Sequence, residues 1–158
     1  MQIENRPVPP SLEFAFTILA NIEVPLLAGQ GLKGERIHIP ILSGEVSGPR
    51  LNGRIAPGGS DWPLLRLDGV SEIEAQYTII AEDGTPLLVR NKGLRVSSAE
   101  VTKRLSSRDL VNPNEYYFRS SLVFDVPNGP HEWMRNRIFI ASLMPRGSSI
   151  SIDVYIVE

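Results

Sequence analysis

From Ile73 to Glu82 the chain alternates with period two. Ile73, Ala75, Tyr77, Ile79 and Ala81 share one face, Glu72, Glu74, Gln76, Thr78 and Glu82 the other, and only Ile80 breaks the rule. Side chains switch faces at every residue only on an extended strand, so this segment is a strand with one dry and one wet face. Asp83-Gly84 supplies turn chemistry, and Pro86 to Arg90 runs back against it as a hairpin. Asn91-Lys92-Gly93 reads as a second turn or a bulge.

The rest of the chain repeats this texture. Leu12 to Glu23 places Phe14, Phe16 and Ile18 on one parity, and Arg36 to Val46 places Ile37, Ile39 and Ile41 together. Gly44, Gly48, Pro49 and Gly53 mark a hairpin or a strand bent at a barrel corner. Leu64 to Leu67, Tyr116 to Val126, Arg137 to Met144 and Ser149 to Val157 complete the strands, the last pair joined at Pro145-Arg146-Gly147. Ser97-x-x-Glu100 is a capping-box pattern that starts a short helix reaching about Ser107. About nine strands with frequent turns predict an antiparallel sheet, closed as a barrel or folded as a sandwich. Long strands joined by tight turns favour an all-β, up-and-down, lipocalin-like β-barrel with one short helix. Residues 1–11, rich in proline, form an extended lead-in, and residues 12–158 form one domain.

Composition narrows the function. The 158 residues carry a net charge of −2 and 22% charged residues, with no basic excess for nucleic acid or an anionic membrane surface. The chain has no cysteine, which removes thiolate metal sites and cysteine nucleophiles. His38 and His131 are the only histidines; they leave room for a mixed histidine–carboxylate site but show no metal motif. No dinucleotide-binding fingerprint is present. The expectation is a cytoplasmic protein, without leader or membrane span, that needs no cofactor and no metal.

Residues suited to chemistry concentrate in Pro57-Gly58-Gly59-Ser60-Asp61-Trp62 and the following Arg66, Asp68 and Gly69. Arg66 suits a bidentate contact to a substrate anion, and Asp61 or Asp68 suits a general base. Arg66 and Asp68 equally suit an ion pair steadying a turn. Tyr77 lies on the apolar parity and points inward, as a proton donor or as a core tyrosine with a satisfied hydroxyl. Trp62 and Trp133 suit the lining of a pocket for a flat ligand, or plugs at the barrel ends. Arg90 and Asn91 suit the barrel mouth, or a solvated hairpin end. Tyr117 and Arg119 share a parity opposite Phe118, and the pattern allows either set to face inward.

Gly58-Gly59-Ser60-Asp61-Trp62, Tyr77 with Asp83-Gly84, Asn91-x-Gly93, Tyr117-Phe118-Arg119, Trp133 and Arg137-Ile138-Phe139-Ile140-Ala141 occur in a consistent order. Together they resemble the bacterial and fungal family called domain of unknown function 3237, from about Leu12 to Val157. The resemblance implies a small antiparallel barrel, and it tips Tyr117 and Arg119 inward. The chain departs from that pattern near Leu122, where a proline is expected, and near Asp125, where a glutamate is expected.

Three functions are compatible with these residues. The first is a cofactor-independent enzyme of lyase, isomerase, hydratase or cyclase type. Asp61, Asp68, Tyr77, Tyr117 and Arg119 would act on an aromatic or carbonyl compound, held by Trp62, Arg66, Arg90, Asn91 and Trp133. The second is a carrier or sensor of a small apolar ligand. The third is an oligomeric interaction module, with Ile80 or the apolar face of the last strand as the contact. A homo-oligomer is compatible with all three.

Overall fold

A computed structural model describes residues 1–3 and 5–158. Glu4, within the expected lead-in, lies outside the described residues. The strands are β1 (Leu12–Ile22), β2 (Leu26–Gln30), β3 (Gly34–Ser47), β4 (Gly53–Ile55), β5 (Gly59–Asp61), β6 (Leu64–Arg66), β7 (Ser71–Ala81) and β8 (Pro86–Val96). Helix α1 (Ala99–Ser106) follows, then β9 (Tyr117–Asp125), β10 (Ile138–Arg146) and β11 (Ser149–Val157). All pairings are antiparallel, and β7 through β11 form a meander. The short β4, β5 and β6 together make one stave between β3 and β7. Strand β1 pairs with β11 on one side and β3 on the other, which closes eight staves into an up-and-down barrel. Closure leaves no open edge along the barrel wall. Strand β2, which the sequence pattern misses, pairs only with the leading half of β3. Among the described residues no helix is long and apolar enough to cross a membrane.

The inward parity follows the alternation of each strand. Phe16, Phe124 and Phe139 meet edge to face, with ring centroids 6.0 and 4.9 Å apart, contacts that add about 0.5–1.5 kcal/mol each beyond burial. Ile152, Val154 and Ile156 of β11 are buried in the same core, so the apolar face of the last strand is barrel interior and not a contact surface. Phe14 departs from the expected parity. A bulge at Ala15 shifts the register against β11, so Phe14 opposes Tyr155 outside while Phe16 opposes Val154 inside. A second irregularity, at the pairing of Ile22 with Ile41, leaves Leu42 exposed.

Two local expectations change. Asn91-Lys92-Gly93 is neither a turn nor a bulge, because β8 runs straight through it in register with β7 and β9. A Cβ on Gly93 would lie 2.4 Å from the Arg119 carbonyl oxygen, so glycine here permits close backbone approach. The helix is capped by Ser98, whose hydroxyl accepts from the Val101 N–H at 3.2 Å. The cap therefore lies one residue beyond the start of the expected box, and Glu100 falls at the second helical position. At the opposite end of the barrel the 3-10 turn Glu132–Asn136 seals the interior with Met134 and Trp133.

Candidate functional site

The interior polar groups gather at the α1 end of the barrel. A cavity of about 30 Å³ is lined there by Asp61, Tyr77 and Asn91 among Ile39, Ile41, Ile73, Ala75, Phe118, Leu143 and other apolar side chains. Register places the polar groups. Asp61 on β5 opposes Ala75 on β7, and Ala75 opposes Asn91 on β8. The small Ala75 thus separates two polar side chains in one lateral row, and Tyr77 stands two residues further along the same inner face. On β8 the inward parity continues through Gly93 to Arg95, which opposes Ser71 and Phe118.

Burial sets the chemistry of these groups. The Asp61 carboxyl is almost fully buried, and desolvation pushes its pKa up to about 6. The Glu74 N–H, 3.1 Å from Oδ1, and the nearby Arg95 guanidinium pull back only part of that rise. The Tyr77 hydroxyl is raised by burial first and by the Asp61 charge second, so it stays protonated. Arg95 is held below its ordinary value by burial, partly offset by Tyr116 and Asp61. Burial also raises the Tyr116 phenol, with Arg95 pulling it back. Among the described residues, four interior polar atoms have no hydrogen-bond partner: Tyr77 Oη, Asn91 Oδ1, Tyr116 Oη and Ser120 Oγ. A buried polar group left in this state costs about 1–3 kcal/mol. Two of the four, on Tyr77 and Asn91, belong to cavity-lining residues beside the raised carboxyl.

The segment closing this end is built as a unit. Val101, Leu105 and Val111 form their own small cluster, and Tyr116 packs against both it and the barrel core. Arg108, at φ +59° the one non-glycine residue with positive φ among those described, donates from Nη2 to the Glu23 carbonyl at 3.2 Å. That contact ties the connection after α1 to the segment just past the end of β1, across the same mouth of the barrel.

The expected site residues thus separate. Asp61, Tyr77 and Asn91 come together inside. Tyr117 and Arg119 do not join them. Phe118 takes the inward position, Tyr117 is about half exposed, and the Arg119 guanidinium lies 5.6 Å over the Tyr117 ring outside the barrel. The reason is parity: an inward Phe118 stacks onto the β9 apolar face with Leu122 and Phe124, whereas an inward Arg119 would bury a charge. Arg66 and Asp68 form an exposed ion pair, with Arg66 Nε 3.0 Å from Asp68 Oδ1, and Asp68 also accepts from the Val70 N–H. This pair holds the Asp68 carboxyl down at about 2 and steadies the turn before β7. Trp133 sits at the far end, against Phe139 and under the Arg50 guanidinium. Trp62 and Arg90 face outward, into a groove on the outer wall. His38 stacks on Trp62, and His131 meets Asp83 at 3.0 Å on the far rim. Sequence reasoning missed Arg95, Ser71, Tyr116 and Ser120. For Arg95 the signal was present: Leu87, Val89, Asn91, Gly93 and Arg95 keep one parity once the Asn-Lys-Gly triplet is read as strand.

Comparison with known proteins fits this architecture. Residues 10–157 match the family described as "Protein of unknown function (DUF3237)". The chain belongs to that family. A UPF0311 protein of Clostridium acetobutylicum is 39% identical over 136 residues, covering 84% of this chain and 86% of the relative. The crystal structure of a conserved protein of unknown function from Rhodopseudomonas palustris superposes on this DUF3237 barrel with a TM-score of 0.92 at 31% identity. It covers 96% of this chain and 100% of the other. An enzyme from Penicillium herquei shares the fold with a TM-score of 0.73 at 20% identity, over 99% of this chain and 100% of that one.

Proposed function

We propose that the barrel interior is the active site of a cofactor-independent enzyme that moves protons on a small carbonyl or aromatic compound. The single observation that carries this reading is the Asp61 carboxyl, buried in a mostly apolar cavity with its pKa near 6. A carboxyl poised near neutrality takes and returns a proton more readily than an ordinary surface aspartate. Tyr77, protonated and without an internal partner, donates a hydrogen bond to a substrate oxygen. Asn91 orients the substrate through its unpaired carbonyl oxygen, and Arg95 offsets negative charge as it develops. One base, one donor and one fixed cation suit lyase, isomerase, hydratase or cyclase chemistry. The wholly apolar remainder of the cavity wall excludes water from the transfer.

The closed cavity holds one or two water-sized groups, well below the few hundred Å³ of a typical small-molecule pocket. Entry of a ring-sized substrate therefore requires the α1 connection to move from the rim. Its separate cluster suits that motion, as does having, among the described residues, one long-range side-chain hydrogen bond, at Arg108. A second reading, a non-catalytic carrier, is favoured by the apolar majority of the lining. The two separate in one experiment: incubate the protein with enolisable ketones, lactones and phenols, and follow thermal shift and product mass together. The enzyme reading expects conversion of a stabilising compound, and a loss of about 10²–10⁴-fold in rate for Asp61→Asn with binding retained. Stabilisation without conversion supports the carrier, and conversion undiminished in Asp61→Asn defeats the assignment of Asp61.

A further inference from the structure

The outer wall of the barrel carries a second concavity. A groove of about 860 Å³ runs over β5, β7 and β8, on the far side of the strands that bear Asp61, Tyr77 and Asn91. Its floor is β7, with Glu74, Gln76 and Thr78 outward. Trp62 stands on one bank, and Arg90 and Lys92 stand on the other. The banks lie two strand spacings apart, about 10 Å, the width of one or two fused rings.

Trp62 is built as a platform. Its ring is about half exposed, and it stacks on His38 at a centroid distance of 3.9 Å and an interplanar angle of 9°. His38 is in turn held by a 2.9 Å hydrogen bond between Nε2 and Ser60 Oγ. A large aromatic surface is thus immobilised yet left open to solvent, where packing gains nothing from it. Beside it, Arg36 is fixed by donating from Nη1 to the Trp62 carbonyl at 2.9 Å, which uses only part of its donor fork. Across the groove, Arg90 has no ion-pair partner among the described residues, while Lys92 meets Glu74 at 3.7 Å. Lys92 offsets part of the Glu74 charge, and among the described residues neither Arg36 nor Arg90 has an ion-pair partner, in a protein whose net charge is −2.

We propose that this groove is a binding site for a small planar anion, an aromatic ring bearing a carboxylate or phosphate. The ring stacks on the free face of Trp62 and the anion bridges to Arg90 and Arg36. Stacking and charge contacts are individually weak at an exposed site, so binding falls in roughly the millimolar range. The inference is independent of the interior chemistry, because the two sites lie on opposite sides of one wall.

Calorimetric titration tests it with 2-naphthoate and 2-naphthyl phosphate as planar anions, 2-naphthalenemethanol as the neutral isostere and acetate as the ringless anion. The expected result is binding of both planar anions, weak or absent binding of the other two, and weakening with added salt. Arg90→Glu and Trp62→Ala should each weaken naphthoate at least about fivefold, Trp62→Phe should weaken it less, and Glu74→Gln should tighten it. Asp61→Asn should leave it unchanged. Each variant alters an exposed side chain except Asp61→Asn, and circular dichroism confirms that all remain folded. Naphthoate binding lost in Asp61→Asn and kept in Arg90→Glu would place the ligand inside the barrel and overturn the groove site. Equal binding of the neutral isostere, no heat with either planar anion, or a dimer in sedimentation that Arg90→Glu dissociates would overturn it too.

Discussion

Asp61 illustrates how one side chain can be costly to the fold and useful to a site. Burial raises its folded pKa from 3.8 to about 6, so the native state binds a proton more tightly than the unfolded chain between those values. Stability is therefore greatest on the acid side of that window and declines as pH rises through about 6, by about 3 kcal/mol in all. Asp68 acts oppositely. Its pKa, held at about 2 by Arg66, gives stability that is present above 3.8 and lost as pH falls through 2, so the two windows do not overlap. Replacing Asp61 with asparagine keeps an acceptor for the Glu74 N–H and removes the ionisation. Chemical denaturation at several pH values should then show the decline between pH 4 and 6 flattened, and a variant more stable than the wild type at pH 7. An unchanged pH profile would mean that Asp61 ionises as freely as a surface carboxylate. Tyr77 and Asp61 were legible as candidates from parity and from residue type. The misplacement of Tyr117 and Arg119 shows the limit of such reading: strand alternation fixes which residues share a face but not which face is wet, and on β9 only burial of Phe118, Leu122 and Phe124 settles it.

At the scale of elements, alternation made the meander β7–β8 and the β10–β11 hairpin readable because each has a clean dry face and a glycine-containing turn. Gly84 takes φ +91° between β7 and β8, and Gly147 takes φ +67° between β10 and β11, conformations that suit glycine. Elements below four residues carried no periodic signal, so β4, β5 and β6, which carry Asp61 into the wall, were partly hidden. The α1 connection is distinct in energy as well as form. Its apolar residues pack on one another and on Tyr116, apart from the three-phenylalanine core. Ser98→Ala removes the hydroxyl that caps the Val101 N–H and costs about 1 kcal/mol of helix stability. Hydrogen exchange of the amides from Thr102 to Arg108 should accelerate about fivefold, with the melting temperature of the barrel unchanged. A fall in melting temperature with no local change in exchange would show that α1 and the barrel unfold as one.

Over the whole molecule, closure joins the first strand to the last. Leu12 pairs with Val157 and Asn21 with Ser149, and Ser11 and Glu158 exchange two backbone hydrogen bonds of 3.0 and 2.8 Å. This pairing is invisible to local pattern; only the strand count and the need to hide edges pointed to it. It makes the fold cooperative, since β1 has partners only when β11 and β3 are in place. Deleting Ser149–Glu158 strips β1 and β10 of a neighbour and opens the interior at Phe16, Ala141 and Leu143. Calorimetry of that truncation should show no cooperative unfolding transition. A sharp transition near that of the full chain would mean that the remaining staves form a core without closure.

The central claim is that the barrel holds one carboxyl near neutrality among unpaired polar groups. Carboxyl-detected NMR titration of protein labelled at the aspartate side-chain carbons, with Asp61→Asn for assignment, tests it most directly. The account predicts one aspartate resonance titrating at about 6 and missing from the variant, while Asp68 titrates near 2. A titration of Asp61 near its ordinary value of 3.8 would contradict the claim and remove the acid–base site with it.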